Sequence, residues 1–473
     1  MIEVGRGAEV EVHIEKLAFG GKALAHLHGL VIFVDHAIPG QDVRVKITRK
    51  KRQFAEGYVI EQFSQSPDYV EPFCPHFGIC GGCSWQDLRY EEQLRWKRQH
   101  VLESLEHLAG VEELTVHPTV PSPQQIWYRN KMEFTFSDRS WIERWDNDFG
   151  RICRPKSFAL GLHVRKSFDA VLNLDRCFLE SAHAVEILHE AREWCRRTGL
   201  PAYNTRTHQG FWRFLVIREG KRTNQRLVHL LTTSQGNGGA LAEQLAHHLC
   251  ARFPHISAFV HSITDGKAQV AHGDFSRCLM GPGFVEELLG SLRIRISTQS
   301  FFQTNPLAAE HLYNAILELG EFTGLETVWD LYCGAGSIAL FIAGHVRQVV
   351  GFEVSEEAIR DAYDNCDLNH IDNCSFVSGD LKDSIRNIGA SVLPGDRPDV
   401  IISDPPRAGM HPHVLKTLLE VAPKCIITVS CNPATLARDL VVLLEHYQID
   451  AVQPFDLFPH TPHIECLVKL KRK

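Results

Sequence analysis

The chain has 473 residues, 44% hydrophobic and 23% charged, an ordinary composition for a water-exposed globular protein with material for about three domains. Its formal net charge of -7 excludes a globally basic nucleic-acid binder, so any RNA contact must come from a local positive patch. Fourteen cysteines, mostly single, do not make a disulfide framework. With no signal-peptide core in Met1–Val12 and no run of about 20 apolar residues, a reducing cytoplasmic setting without membrane contact is expected.

Residues 8–63 alternate apolar and polar side chains over Glu9–Ile14, Leu30–Val34, Asp42–Thr48 and Gly57–Phe63. Turn signals at Gly20-Gly21 and Pro39-Gly40 separate them. About five short strands in so few residues predict a small closed barrel of the OB type over 1–63. The run Arg49, Lys50, Lys51 and Arg52 is read either as a solvated edge or as a rim that contacts phosphates.

A mixed α+β region follows over 64–298. It opens on Cys74, Cys80 and Cys83, spaced by five and two residues. Three thiolates need a fourth partner for a metal site, and the isolated Cys177 is the candidate; on spacing alone zinc is slightly ahead of an iron–sulfur cluster. A helix is expected over Tyr90–Leu108, with Leu94, Val101, Leu105 and Leu108 near helical spacing, and it is a candidate to pack on the C-terminal domain. Strand pieces are Lys131–Ser137, Leu160–His163, Arg213–Arg218 and Leu227–Thr232. The polar stretch 138–156, with Trp141 and Trp145, reads as a surface insertion without assigned function.

From 299 to 473 strand and helix alternate. Strands are expected at Thr327–Leu331, Val349–Glu353, Ser375–Ser378, Val400–Ser403, Cys425–Val429 and Cys466–Leu470. This is the pattern of a doubly wound, mostly parallel sheet, which binds ligands at the carboxyl ends of its strands. The first strand runs into Gly334-Ala335-Gly336, where a tight turn lets a ligand approach backbone, and the helix Ile338–Ile342 follows. Glu353 ends the second strand, where a carboxylate can take both ribose hydroxyls of a nucleoside, and Asp380 follows the third. The fourth leads to Asp404-Pro405-Pro406-Arg407, a stiff loop holding a carboxylate over the crevice. The fifth leads to Ser430-Cys431-Asn432-Pro433, and Glu465 opens the last strand. A thiolate and a carboxylate at this edge suit addition to carbon 6 of a pyrimidine, alkylation at carbon 5, and removal of the carbon-5 proton.

These motifs resemble the uracil-5 RNA methyltransferase family, makers of 5-methyluridine in ribosomal and transfer RNA. The matching residues are Phe302-Gln303-Thr304-Asn305, Asp330–Gly334, Asp404–Arg407, Ser430–Pro433 and the Phe458-Pro459-His460-Thr461 run ending at Glu465. The resemblance implies Cys431 as nucleophile, Glu465 as base, and S-adenosylmethionine held by Gln303, Tyr332, Glu353, Asp404 and Asp380. It implies that Phe301 or Phe302 stacks on a flipped-out target base. It makes the barrel a TRAM domain and turns the choice at Cys74, Cys80, Cys83 and Cys177 toward a 4Fe–4S cluster, with zinc as the lesser alternative. The expected fold is thus α/β multidomain: an N-terminal OB-like TRAM barrel, a central α+β domain with the cluster, and a C-terminal Rossmann-like methyltransferase domain.

Barrel plus cluster favour 23S ribosomal RNA over transfer RNA as substrate, and a monomer is expected. Thr428, where the family is commonly aromatic, and Ser337 depart from its pattern. Three rival readings remain: methylation of a purine nitrogen through Asp404-Pro405-Pro406, which needs no thiol; a cytosine-5 methyltransferase, which would place its nucleophile elsewhere; and a non-catalytic RNA assembly factor.

Overall fold

The computed structural model describes residues 4–141, 156–235, 238–381, 383 and 397–473. Most of the polar stretch 138–156, with Trp145, lies outside them.

The N-terminal strands Glu9–His13, Lys16–Leu17, Ala23–Leu27, Leu30–Asp35, Asp42–Lys50 and Phe54–Ser64 form one six-stranded sheet. Two strands lie outside the four segments that the alternation named: Ala23–Leu27 and the two-residue Lys16–Leu17, which is too short for a period to show. Val10, Val12, Val43, Val45 and Ile47 point into a small core, as their alternation requires. Residues Arg49 to Arg52 lie exposed where Asp42–Lys50 turns into the next strand.

The central domain has seven strands in the spatial order Phe275–Met280, Ile256–Ile263, Arg226–Thr232, Trp212–Glu219, Lys131–Arg139, Lys156–His163 and Val171–Leu172. The helices Ala182–Arg197 and Gly238–Arg252 cover one face, where Leu188 and Leu245 share a core with Phe134, Leu215 and Phe259.

The C-terminal sheet also has seven strands. Their order is Cys374–Ser378, Gln348–Glu353, Thr327–Leu331, Val400–Ser403, Cys425–Ser430, Glu465–Arg472 and Tyr447–Phe455. The first five are parallel; Glu465–Arg472 runs antiparallel to both its neighbours. The order reverses beside Thr327–Leu331, so the crevice of a doubly wound sheet opens at that strand's carboxyl end.

Two earlier segments belong to this core. The hairpin Phe284–Leu289 and Leu292–Ser297 buries Val285, Leu289, Ile294 and Ile296 in it, ahead of the expected start at 299. The helix Tyr90–Ala109 sets Val101 and Leu105 against Leu436, Leu440 and Cys466, with the helix Pro433–Leu443 as its main neighbour. Leu108, expected in its apolar stripe, is 56% exposed; the buried side chains are Gln93, Trp96, Lys97, His100, Val101 and Leu105. The apolar spacing missed half of that face because polar side chains fill it. Among the described residues no helix is long and apolar enough to cross a membrane.

Candidate active site

The loop after Thr327–Leu331 turns through Tyr332, Gly334 and Gly336, with φ of 64°, 54° and 79°. Left-handed backbone at three positions in five folds the loop tightly. A Cβ added at Gly334 would meet only Phe301 O at 3.9 Å, so the loop is open to a ligand. Glu353 shapes it from the next strand: Oε2 accepts from Gly334 N at 3.1 Å, and Oε1 from Val354 N at 2.8 Å and Ser355 N at 2.9 Å. A carboxylate has about four acceptor positions, so capacity remains for hydroxyl donors. Asp380 lies exposed after the third strand; burial, then the Asp439 charge and last that of Asp380, raise the Tyr332 phenol.

Asp330 was passed over as part of a motif. Its Oδ2 accepts from Ala339 N at 3.1 Å, while Oδ1 is buried with no partner among the described residues. Burial, then the Asp404 carboxyl, push it up to about 8. A buried acid with a free oxygen suits a cationic group arriving in the crevice.

Asp404 is held by the Gln303 amide, which donates to Oδ2 at 3.2 Å, and burial pushes the acid up to about 7. Asn130 of the central domain donates to the backbone carbonyl of Gln303 at 3.1 Å, so the central domain anchors the backbone from which this amide reaches. Phe302 is in the catalytic core, 3% exposed, whereas Phe301 is 66% exposed; of the two, only Phe301 is free to stack on a base.

The register of the last strands brings Cys431 and Glu465 together. Ser430 pairs with Cys466, so Cys431 and Glu465 flank that pair at the edge of the crevice. Glu465 is buried, and its Oε2 has no hydrogen-bond partner among the described residues. Burial, then the Asp404 charge, hold its acid well above the usual carboxylate range. Cys431 is partly exposed; burial, then the Glu465 and Asp404 charges, push its thiol up to about 11, while Arg407 pulls it down. Arg407 draws the Glu465 acid down as well. Its guanidinium therefore favours the anionic forms of both, a role that the motif alone did not reveal.

Asn432 caps the helix Pro433–Leu443 by accepting from Ala434 N at 3.1 Å, and its Nδ2 donates to Arg407 O at 3.2 Å, tying the two loops together. Both family departures have local partners. Thr428 Oγ1 accepts from Ser403 at 3.1 Å, and the Ser337 hydroxyl pairs with Tyr313 at 3.1 Å.

Cys74, Cys80, Cys83 and Cys177 line one pocket with Phe77 and Leu179. Cys80 Sγ accepts from Gly82 N at 3.4 Å and Cys177 Sγ from Leu179 N at 3.5 Å, and N–H groups of His76 and Phe77 face the Cys74 sulfur. Such donors stabilise bound thiolates. Burial pushes Cys80 up to about 11 and Cys83 up to about 12, so the thiols keep their protons until a cation binds. Among the described residues no group of three or more His, Cys, Asp and Glu is placed so that it could hold a metal ion.

The family model described as tRNA (Uracil-5-)-methyltransferase matches residues 284–473, and that of the TRAM domain matches residues 3–60. An uncharacterized RNA methyltransferase of Nitratidesulfovibrio vulgaris is 39% identical, over 99% of this chain and 97% of its own. Another, of Chlorobaculum tepidum, is 39% identical over 97% of this chain and 95% of its own. Among solved structures, the Pyrococcus abyssi tRNA (uracil-54, C5)-methyltransferase in complex with S-adenosyl-L-homocysteine matches with a TM-score of 0.73 and 27% identity, over 98% of this chain and 100% of that one. With a TRAM barrel, a methyltransferase sheet and relatives matched end to end, the chain belongs to the RNA uracil-5 methyltransferase family.

Proposed function

We propose that this protein methylates carbon 5 of one uridine in structured RNA, with Cys431 as nucleophile and Glu465 as base. The observation that carries the reading is the Ser430–Cys466 register, which sets a thiol and a buried, unpartnered carboxyl side by side at the ligand edge.

S-adenosylmethionine supplies an electrophilic methyl group when bound. Gln303, Tyr332, Glu353, Asp380 and Asp404 hold it, and the free oxygen of Asp330 fits its ammonium group. Phe301 stacks on the flipped base. Cys431 gives its S–H proton to solvent, its sulfur bonds to carbon 6, and the π pair moves onto the carbonyl oxygen at position 4 as an enolate. Bound S-adenosylmethionine would supply the methyl group that the enolate takes up at carbon 5, leaving as the neutral thioether. Glu465 takes the carbon-5 proton; that electron pair restores the ring double bond, and the carbon–sulfur bond breaks to return the thiolate. An unpartnered buried carboxyl is a strong base once ionised, which suits it to the last step.

Cys74, Cys80, Cys83 and Cys177 hold a 4Fe–4S cluster in this reading. A cubane offers each thiolate its own iron, and the support for this reading is that the four sulfurs line one pocket. The enzyme works as a cytoplasmic monomer.

Two substrates have support. The barrel with its four cysteines favours 23S ribosomal RNA. The end-to-end match to an enzyme of tRNA uracil-54 favours transfer RNA, and it weakens the premise that this domain set marks a ribosomal enzyme. Mass mapping of 5-methyluridine in both RNAs, from cells with and without the gene, decides between them. The mechanism is tested with RNA carrying 5-fluorouridine, whose carbon-5 fluorine no base can remove. A covalent adduct on the peptide containing Cys431 is expected, and its absence overturns the reading.

A further inference from the structure

We propose that Lys97 and Gln93, on the helix Tyr90–Ala109, are positioning residues that aim Glu465 for the final proton removal. This rests on the assignment of Glu465 as base. With no partner on Oε2 among the described residues, the aim of that carboxyl depends on the backbone leading into it. That backbone is the irregular segment 456–464.

Lys97 and Asp456 are both fully buried, and Lys97 Nζ donates to Asp456 Oδ1 at 2.5 Å and to Phe458 O at 3.0 Å. The same Oδ1 accepts from Phe458 N at 2.9 Å, so one ammonium and one carboxylate fix the start of the segment. Gln93 fixes its middle: its Oε1 accepts from His460 N at 2.8 Å, while its Nε2 donates to Trp85 O and Leu88 O, both at 2.8 Å. His460 needs this hold, since it is a non-glycine residue at φ 64°. Its carbonyl accepts from Ser84 N at 2.8 Å and Trp85 N at 3.0 Å, directly after Cys83. Beyond it the chain reaches buried Ile464, and the strand Glu465–Arg472 then opens with Glu465. Among the described residues neither Lys97 nor Gln93 is hydrogen-bonded to Cys431, Glu465 or Asp404; the side-chain bonds of Lys97 all end on the segment, and Gln93 ties the segment's middle to Trp85 and Leu88.

Cys431 sits on a different loop, braced by Asn432 and Arg407. A shift of the 456–464 segment should therefore leave sulfur addition and methyl transfer in place and slow only elimination. Methylated RNA would then remain bonded to Cys431.

The test uses the full-length enzyme, S-adenosylmethionine and RNA from cells lacking the gene, with adduct and free 5-methyluridine measured together. Glu465→Gln should accumulate methylated adduct and release no product. Lys97→Met and Gln93→Leu should raise the adduct-to-product ratio at least tenfold over wild type, at unchanged RNA affinity. Should Lys97→Met not fold, the double variant Lys97→Met, Asp456→Leu leaves no lone buried charge and must show the same rise. A parallel fall in adduct and product overturns the proposal, because a merely structural role weakens every step alike. Absence of adduct in Glu465→Gln, with the protein folded, overturns the base assignment itself and this inference with it.

Discussion

The thiol of Cys431 offers a direct check on the electrostatics of the site. Burial and the neighbouring carboxyls push it up to about 11, against the pull of Arg407. At pH 8 about one molecule in a thousand then carries the thiolate, whereas a thiol near 8.5 would be roughly one quarter ionised. Alkylation by iodoacetamide follows the thiolate, so Cys431 in the free enzyme should react roughly two hundredfold slower than a simple thiol at that pH. Followed by mass spectrometry of its peptide from pH 6 to 10, the rate should climb about tenfold per unit without levelling. The two neighbours act with opposite sign. Arg407→Leu removes a charge that favours the thiolate and moves the curve to higher pH; Glu465→Gln removes one that opposes it and moves the curve to lower pH. A wild-type plateau between pH 8 and 9 would refute this account, as would shifts of the same sign in both variants.

Lys97→Met strands the buried Asp456 charge and should cost about 3–5 kcal/mol in urea unfolding, most of it recovered by adding Asp456→Leu. In Gly351→Ala the new Cβ would meet Phe376 Cδ1 at 2.5 Å and Cys333 Sγ at 2.8 Å, so a loss of about 1–3 kcal/mol and a lower Tm are expected. Reversing Lys50, Lys51 and Arg52 to glutamate should flatten the salt dependence of RNA binding by roughly 0.7 per lost phosphate contact, read from titrations at several salt concentrations. Cys83→Ser should lower the iron content of protein purified without air, and lower its Tm with it.

The parallel strands were legible because both their faces are buried, which writes them as short apolar runs: Thr327–Leu331 and Val400–Ser403 stand where the pattern puts them. Tyr447–Phe455 was missed. It is an edge strand carrying Asp450 and Pro454, and neither belongs to a buried run. Glu353, Asp404 and Cys431 could be named because each lies at or just after a strand's carboxyl end, whereas Glu465 opens a strand and Gln303 precedes a helix. What they do to one another could not. The opposed pulls of Arg407 and Glu465 on Cys431 are properties of folded distances. The buried pairs that hold the 456–464 segment join positions 359 and 367 residues apart, and no local pattern announces them.

The helix Tyr90–Ala109 settles on the helix Pro433–Leu443, which leaves the ribosome more than 300 residues later. At about 5–20 residues per second that is a wait of tens of seconds. Through it, a conventional amphipathic helix would show newly made neighbours a greasy stripe. This one shows Gln93, Lys97 and His100 beside Trp96, Val101 and Leu105. The polar half of its docking face keeps the nascent chain wettable during synthesis and becomes a set of buried bonds once the carboxyl-terminal strands arrive.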